Sequence, residues 1–391
     1  MTESAALPIV ILGSGLAGYS AARELRKLDK ATPLVVISRD HAGFYSKPML
    51  SNALAGNKTA AMLVMKPVEK MIEELGAVVR ARTEAARIDT DARSVHCVDG
   101  EVFAYRDLVL ALGADPIRLP LAGDGAAEVL SVNDLDDYAR FAERLDGVKT
   151  VAILGGGLIG CEFANDLLAR GITPTVIDPA GAALSRLLPP AASAWLQERL
   201  AAAGVRFRFG VAAEGIDRAD GPATKGYKLT LNDGSVLEAD LVLSAIGLRP
   251  RTGLAQAAGL AVNRGVVVDR LLAASAPHVY ALGDCAEVEG HSLPYVMPIM
   301  QQARALGATL AGTPTPLRYP AMPVIVKTPA CPTVVCPPAV DAIGAWSVQS
   351  GDDALEAHFR AADGELLGFA LMGEATAQRQ ALAAQVRGLI G

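Results

Sequence analysis

The sequence predicts an α/β chain with two related, doubly wound lobes and a small C-terminal α+β domain. Three observations carry this. The stretch IVILGSGLAGYSAAREL (9–25) returns as VAILGGGLIGCEFANDL (151–167), each an apolar run, a Gly-x-Gly-x-x-Gly turn and a helix-like segment. The strand-and-turn texture of residues 76–113 returns in 205–246, and the two stretches close on LVLALG and LVLSAIG. Pro-rich residues 313–323 then mark a boundary before a third stretch of different character.

Taken in order, residues 8–12 (PIVIL) form a continuous apolar run, the pattern of a parallel strand buried on both faces. Residues 16–28 have helical periodicity, with Arg23, Arg26 and Lys27 falling outward. Residues 34–38 supply a second strand and complete a βαβ unit. Residues 151–154, 158–170 and 175–178 repeat the pattern. Each copy then runs through a small β-meander to a strand that rejoins the sheet. Two Rossmann-like dinucleotide-binding domains follow from this duplication. The expected boundaries are 1–114 with 247–314 for a discontinuous first domain, 115–246 for the second and 315–391 for the third. The third domain should hold strands in VIVKTP (324–329) and in residues 358–373, then a terminal helix over 374–389.

Composition narrows the function. Of 391 residues, 51% are hydrophobic and 20% charged, which suits sizeable cores and argues against disorder. The net charge of −6, with no long basic run, disfavours nucleic-acid binding. The five cysteines (Cys97, Cys161, Cys285, Cys331, Cys336) are odd in number and sparse, as in a reducing compartment. The scattered histidines make no zinc-like spacing with them, so no metal is expected. Residues 4–22 carry no charge, but Pro8, the spaced glycines and the lack of a basic n-region point to a buried strand and turn rather than membrane insertion. The expected location is the cytoplasm.

The glycine turns carry the chemistry. Gly13 and Gly155 should make the tight strand-to-helix turn. Gly15 and Gly157 should let a pyrophosphate approach, with Ser14 between Gly13 and Gly15. Gly18 and Gly160 should let helix pack on strand. The anion then rests on the helix N-terminus. An acidic residue about twenty residues on should reach the ribose. In the second copy this is Asp178, which would repel a 2′-phosphate and so favours NADH over NADPH. In the first copy VVISRD offers Arg39 and Asp40, with the register open. Two dinucleotides in adjacent domains suggest a relay from a visiting nicotinamide to a resident flavin.

Further motifs support a family resemblance. HVYALGDCAEV (278–288), LVLALGA (108–114) and SAIGLRP (244–250) resemble segments of the FAD-dependent pyridine-nucleotide reductases, over essentially the whole chain. The resemblance implies non-covalent FAD, with Asp284 on its ribityl chain and Gly113 and Gly247 at the closing strand ends. It also places Ala85 against adenine and Val296 at a helix N-terminus facing the flavin. YSKPMLS (45–51), GLIGCEFANDL (157–167) and VKTPACP (326–332) resemble the rubredoxin-reducing branch, which implies electron flow from NADH through FAD to rubredoxin. By the same resemblance Glu162 lies near the flavin and nicotinamide, with Lys47 as its expected partner. Lys327 reaches the flavin from the third domain.

Departures from the wider family matter. Residues 41–75 hold no cysteine, whereas disulfide reductases carry a Cys-x4-Cys pair there. The pair Cys331 and Cys336 sits in the third domain and reads as packing. His358, the last histidine, reads as a surface strand residue. Ser51 is followed by Asn52, where the oxygenase-type ferredoxin reductases usually have Ser then Lys. The alternatives are a ferredoxin, flavorubredoxin or disulfide acceptor, or a dinucleotide-binding flavoprotein without turnover. A monomer or weak dimer is expected.

Overall fold

The computed structural model describes residues 6–219 and 226–391. The first sheet is all parallel, with strands in the order Val279–Ala281, Asp107–Leu110, Ile9–Leu12, Leu34–Ile37 and Val78–Arg80. Ile9, Val10 and Ile11 are fully buried and Leu12 is 2% exposed, as a central strand covered on both faces requires. The second parallel sheet has the order Arg206–Phe209, Thr173–Asp178, Thr150–Leu154 and Leu241–Ser244. In both, the strand before the glycine turn is flanked by the next βαβ strand and by the returning one. Each lobe also has a three-stranded antiparallel meander, Ala85–Asp89/Ser94–Cys97/Val102–Ala104 and Ala213–Arg218/Tyr227–Leu231/Val236–Ala239. The fold class read from the sequence is the one observed.

Helix Leu16–Leu28 covers the first sheet, and helix Val296–Leu310 packs across that helix. Gly307 allows that crossing, because a Cβ there would meet Glu24 Cβ at 2.7 Å.

The third unit is a five-stranded antiparallel sheet in the order Val324–Val326, Thr333–Cys336, Leu366–Gly373, Ala354–Arg360 and Ala345–Ser350. The long terminal helix expected over 374–389 does not form. A 3-10 turn at Glu374–Gln378 leads into a short helix, Arg379–Ala383. The chain then turns back so that Ile390, 6% exposed, bridges to Tyr319, and the Leu389 N–H donates to the Tyr319 carbonyl at 2.8 Å. Burying the apolar tail outweighs the helix propensity of an Ala-rich segment. No helix among the described residues is long and apolar enough to cross a membrane.

Candidate active site

The two glycine turns are sterically equivalent. Gly13 and Gly155 have φ of +118° and +108°, and a Cβ on either would strike a backbone carbonyl, Ala111 O at 2.2 Å or Ala245 O at 2.6 Å. A Cβ on Gly18 would lie 2.0 Å from Gly13 O, and one on Gly160 1.9 Å from Gly155 O. Gly15 and Gly157 differ from these, with nothing beyond their own chain neighbours within 4 Å of the Cβ position. They are also the N-caps of Leu16–Leu28 and Leu158–Leu168, and neither helix has a side-chain cap. Each turn therefore offers open space in front of free backbone N–H groups, a cradle that suits a pyrophosphate.

The acids behind the turns work in parallel ways. Asp178, the last residue of its strand, accepts the Gly156 N–H at 2.6 Å and the Ala180 N–H at 2.7 Å. In the first lobe Ile37 pairs with Leu12 as Ile177 pairs with Leu154, so Ser38 is the topological counterpart of Asp178. The acid comes two residues later. Asp40 Oδ1 accepts from Ser38 Oγ at 2.7 Å, Ser14 Oγ at 3.0 Å and the Ala42 N–H at 2.8 Å. Burial works to raise its pKa, but these hydrogen bonds outweigh burial and hold it below the usual carboxylate range. Arg39 is half-exposed, 3.4 Å from Asp115.

A cavity of about 800 Å³ opens from the first turn. It is lined by Gly13, Ser14, Gly15, Arg39, Asp40, Ala85, Gly113, Gly247, Asp284 and Val296, and by Lys47, Glu162 and Lys327. Helix Leu158–Leu168 brings the second lobe to its wall through Leu158, Ile159 and Glu162. Gly155, Gly157, Gly160 and Asp178 lie outside this cavity, at the head of that helix and behind it. The third domain contributes Val324, Ile325 and Lys327.

The pairing of Glu162 with Lys47 is not what the fold provides. Glu162 is fully buried, and its donors are Ser51 Oγ at 2.5 Å, the Lys327 N–H at 2.9 Å and the Lys327 ammonium. Lys47 instead donates to Asn133 Oδ1 at 3.3 Å. Both Lys47 and Ser51 lie on the 3-10 helix Lys47–Asn52, where residues four apart point about 120° from each other, and the two take different partners. Burial lowers the Lys47 pKa, and the nearby Asp284 charge opposes this. Burial raises the Asp284 pKa, against Lys47 and Arg251. Lys327 follows the strand Val324–Val326 rather than lying within it.

Sequence reasoning missed Ser51, Asn133 and Arg251. Arg251 lines the cavity and ties Asp115 (2.7 Å) to the Leu112 carbonyl (2.7 Å). It directly follows the SAIGLRP segment, so its place in the chain was a usable signal. Ser51 stands in the YSKPMLS segment, which marked the branch but not a role for the hydroxyl, and Asn133 carried no signal.

None of the five cysteines lines the cavity, and all are buried free thiols. Cys331 and Cys336 belong to different core clusters, and burial pushes the Cys336 thiol up to about 11. His358 is half-buried on its strand, and burial lowers its pKa.

A resident dinucleotide fits these residues: an open glycine cradle, and half-buried Asp284 and Lys47 facing one cavity, with Lys47 hydrogen-bonded to the neutral Asn133 amide. One such turn opening on a cavity, with the helix that starts at the second turn in its wall, defines a flavoprotein oxidoreductase with a nicotinamide nucleotide partner. The chain belongs to the pyridine nucleotide-disulphide oxidoreductase family, whose sequence model matches residues 7–307, and residues 316–386 match a rubredoxin binding C-terminal domain. It is 50% identical to the rubredoxin-NAD(+) reductase of Alcanivorax borkumensis over 96% of this chain and 97% of that protein. It is 45% identical to the enzyme of the same name from Acinetobacter baylyi, with 96% of each covered. Among solved structures, the ferredoxin reductase for the CYP199A2 system of Rhodopseudomonas palustris superposes with a TM-score of 0.87 at 27% identity, covering 97% of this chain and 95% of that one.

Proposed function

We propose that this protein is an NADH-dependent reductase that passes electrons through non-covalently bound FAD to rubredoxin. One observation carries the reading. A single cavity is walled by the first glycine turn, by the helix that starts at the second, and by the domain matching a rubredoxin-binding family. Electron donor, resident cofactor and acceptor domain thus converge on one place.

FAD, when bound, supplies acceptance of a hydride and release of its electrons singly. The chain's own residues do the rest. The open N–H groups at Gly15 hold the pyrophosphate. Asp284 meets the ribityl hydroxyls, and Lys47, hydrogen-bonded to the Asn133 amide and near Asp284, places a cation in the cavity. Asp178 selects the 2′-hydroxyl of NADH and repels a 2′-phosphate. Glu162 and Lys327 close the wall where second and third domains meet. The chain needs no nucleophile and no dithiol. The five unpaired thiols support a reducing compartment, the cytoplasm, as its location.

The experiment is anaerobic mixing of the purified yellow protein with NADH and one of three acceptors: rubredoxin, a ferredoxin or a disulfide. Rubredoxin should be reduced fastest. Preference for the disulfide, or no flavin in the purified protein, contradicts the reading.

A further inference from the structure

We infer that Ser51 is a positioning residue for the electron-transfer site, acting through Glu162 on Lys327. The inference rests on the function proposed above, in that it takes the cavity as the flavin's.

The Glu162 carboxylate is wholly buried and takes every hydrogen bond found for it from other domains. Two come from Lys327, on the third domain. The other comes from the Ser51 hydroxyl, on the first. A lysine stem has four rotatable bonds and an ammonium that donates in any direction, so it follows its acceptor. A serine hydroxyl has one rotatable bond. Ser51, 2% exposed, is also held at a fixed place. One turn along the same helix, Asp166 accepts the Leu54 and Ala55 N–H groups at 2.9 Å each and pins the end of the Ser51 segment against Leu158–Leu168. Ser51 therefore locates the carboxylate, and the carboxylate locates the Lys327 ammonium at the cavity wall. Removing the hydroxyl leaves a buried carboxylate with a single partner residue and frees the ion pair to reorient.

The test uses flavin-loaded parent, Ser51→Ala, Ser51→Thr, Lys327→Met and the Ser51→Ala/Lys327→Met double variant. Two measurements are made: the ratio of oxidised to reduced flavin at a fixed ambient potential, and the steady-state kinetics (kcat and KM) for NADH with ferricyanide as acceptor. Ser51→Ala should change the flavin ratio roughly tenfold, about 30 mV for a two-electron couple. It should lower kcat with KM within about twofold of the parent. Ser51→Thr should restore both. In the Lys327→Met background Ser51→Ala should change neither, because the ammonium it positions is gone. Ser51→Cys, nearly isosteric but a weak donor, tests the same bond without opening a cavity and should shift the ratio in the same direction. A parental ratio in both Ser51→Ala and Ser51→Cys, or an undiminished shift in the Lys327→Met background, overturns the inference. Failure of the function itself looks different: the parent would bind no flavin, or NADH would not reduce it.

Discussion

Lys327 holds Glu162 twice, its backbone N–H on one carboxylate oxygen at 2.9 Å and its ammonium on the other. The two residues come from different domains, and Glu162 is fully buried while the Lys327 side chain is 25% exposed. Truncating the lysine strands a buried charge. Lys327→Met should therefore cost about 2 kcal/mol, below the figure for a fully buried pair because Lys327 reaches solvent. Adding Glu162→Gln should recover part of that loss. Thermal unfolding of the parent and the three variants in this cycle checks it. A double variant no more stable than Lys327→Met would count against the pair.

The second and third glycines of each turn should separate binding from folding. Gly15→Ala projects its methyl into open space and should keep the fold while weakening FAD retention. Gly157→Ala should keep FAD and raise the KM for NADH. Gly18→Ala and Gly160→Ala, whose methyls would strike carbonyls, should lower the yield of folded protein. Flavin content, kinetics and circular dichroism distinguish the three outcomes.

NADH should beat NADPH by at least roughly tenfold in kcat/KM, about 1.4 kcal/mol. The carboxylate proposed for this is Asp178, aligned by the Gly156 N–H of the glycine turn and by the Ala180 N–H that follows it. Asp178→Ser should narrow the gap. Equal kcat/KM values in the parent would remove Asp178 from this role.

Asp40 makes stability depend on acid. Its folded pKa is depressed, so its contribution is present above the ordinary aspartate pKa and is lost as pH falls through the folded value. Ser38→Ala and Ser14→Ala remove two of the bonds that depress it. Each should raise the pH at which the protein unfolds on acidification. An unchanged acid midpoint in both variants would show that those hydroxyls do not set it.

The cysteines should be dispensable for turnover. All five are buried away from the cavity, and burial raises Cys161 to about 12 and Cys285 to about 11. Thiol reagents at mild pH should label the native protein slowly and the unfolded protein fully. Cys331→Ser/Cys336→Ser should keep near-parental rubredoxin reduction.

Much of this architecture is legible in the sequence because it rests on local sterics. Gly13 and Gly155 are demanded by left-handed backbone, and Gly18 and Gly160 by contact with a carbonyl, so the motif and its duplication are visible in one dimension. The Glu162 environment is not. Its partners lie 111 and 165 residues away, and which of two lysines reaches it depends on how three domains close. The register at Asp40 is hidden for a related reason: in the first lobe the acid left the strand end and reaches the turn through Ser14 and Ser38. At the C-terminus, pairing of Ile390 with Tyr319 overrode a helical pattern that local propensity favoured.

The most direct test is a single-turnover experiment in which the NADH-reduced protein is mixed anaerobically with oxidised rubredoxin. Flavin reoxidation and rubredoxin reduction should proceed at matching rates, with two rubredoxins reduced per flavin, and identically in Cys331→Ser/Cys336→Ser. Flavin that stays reduced in the presence of rubredoxin, or transfer abolished in the folded, flavin-replete double serine variant, would contradict direct passage of electrons from FAD to rubredoxin.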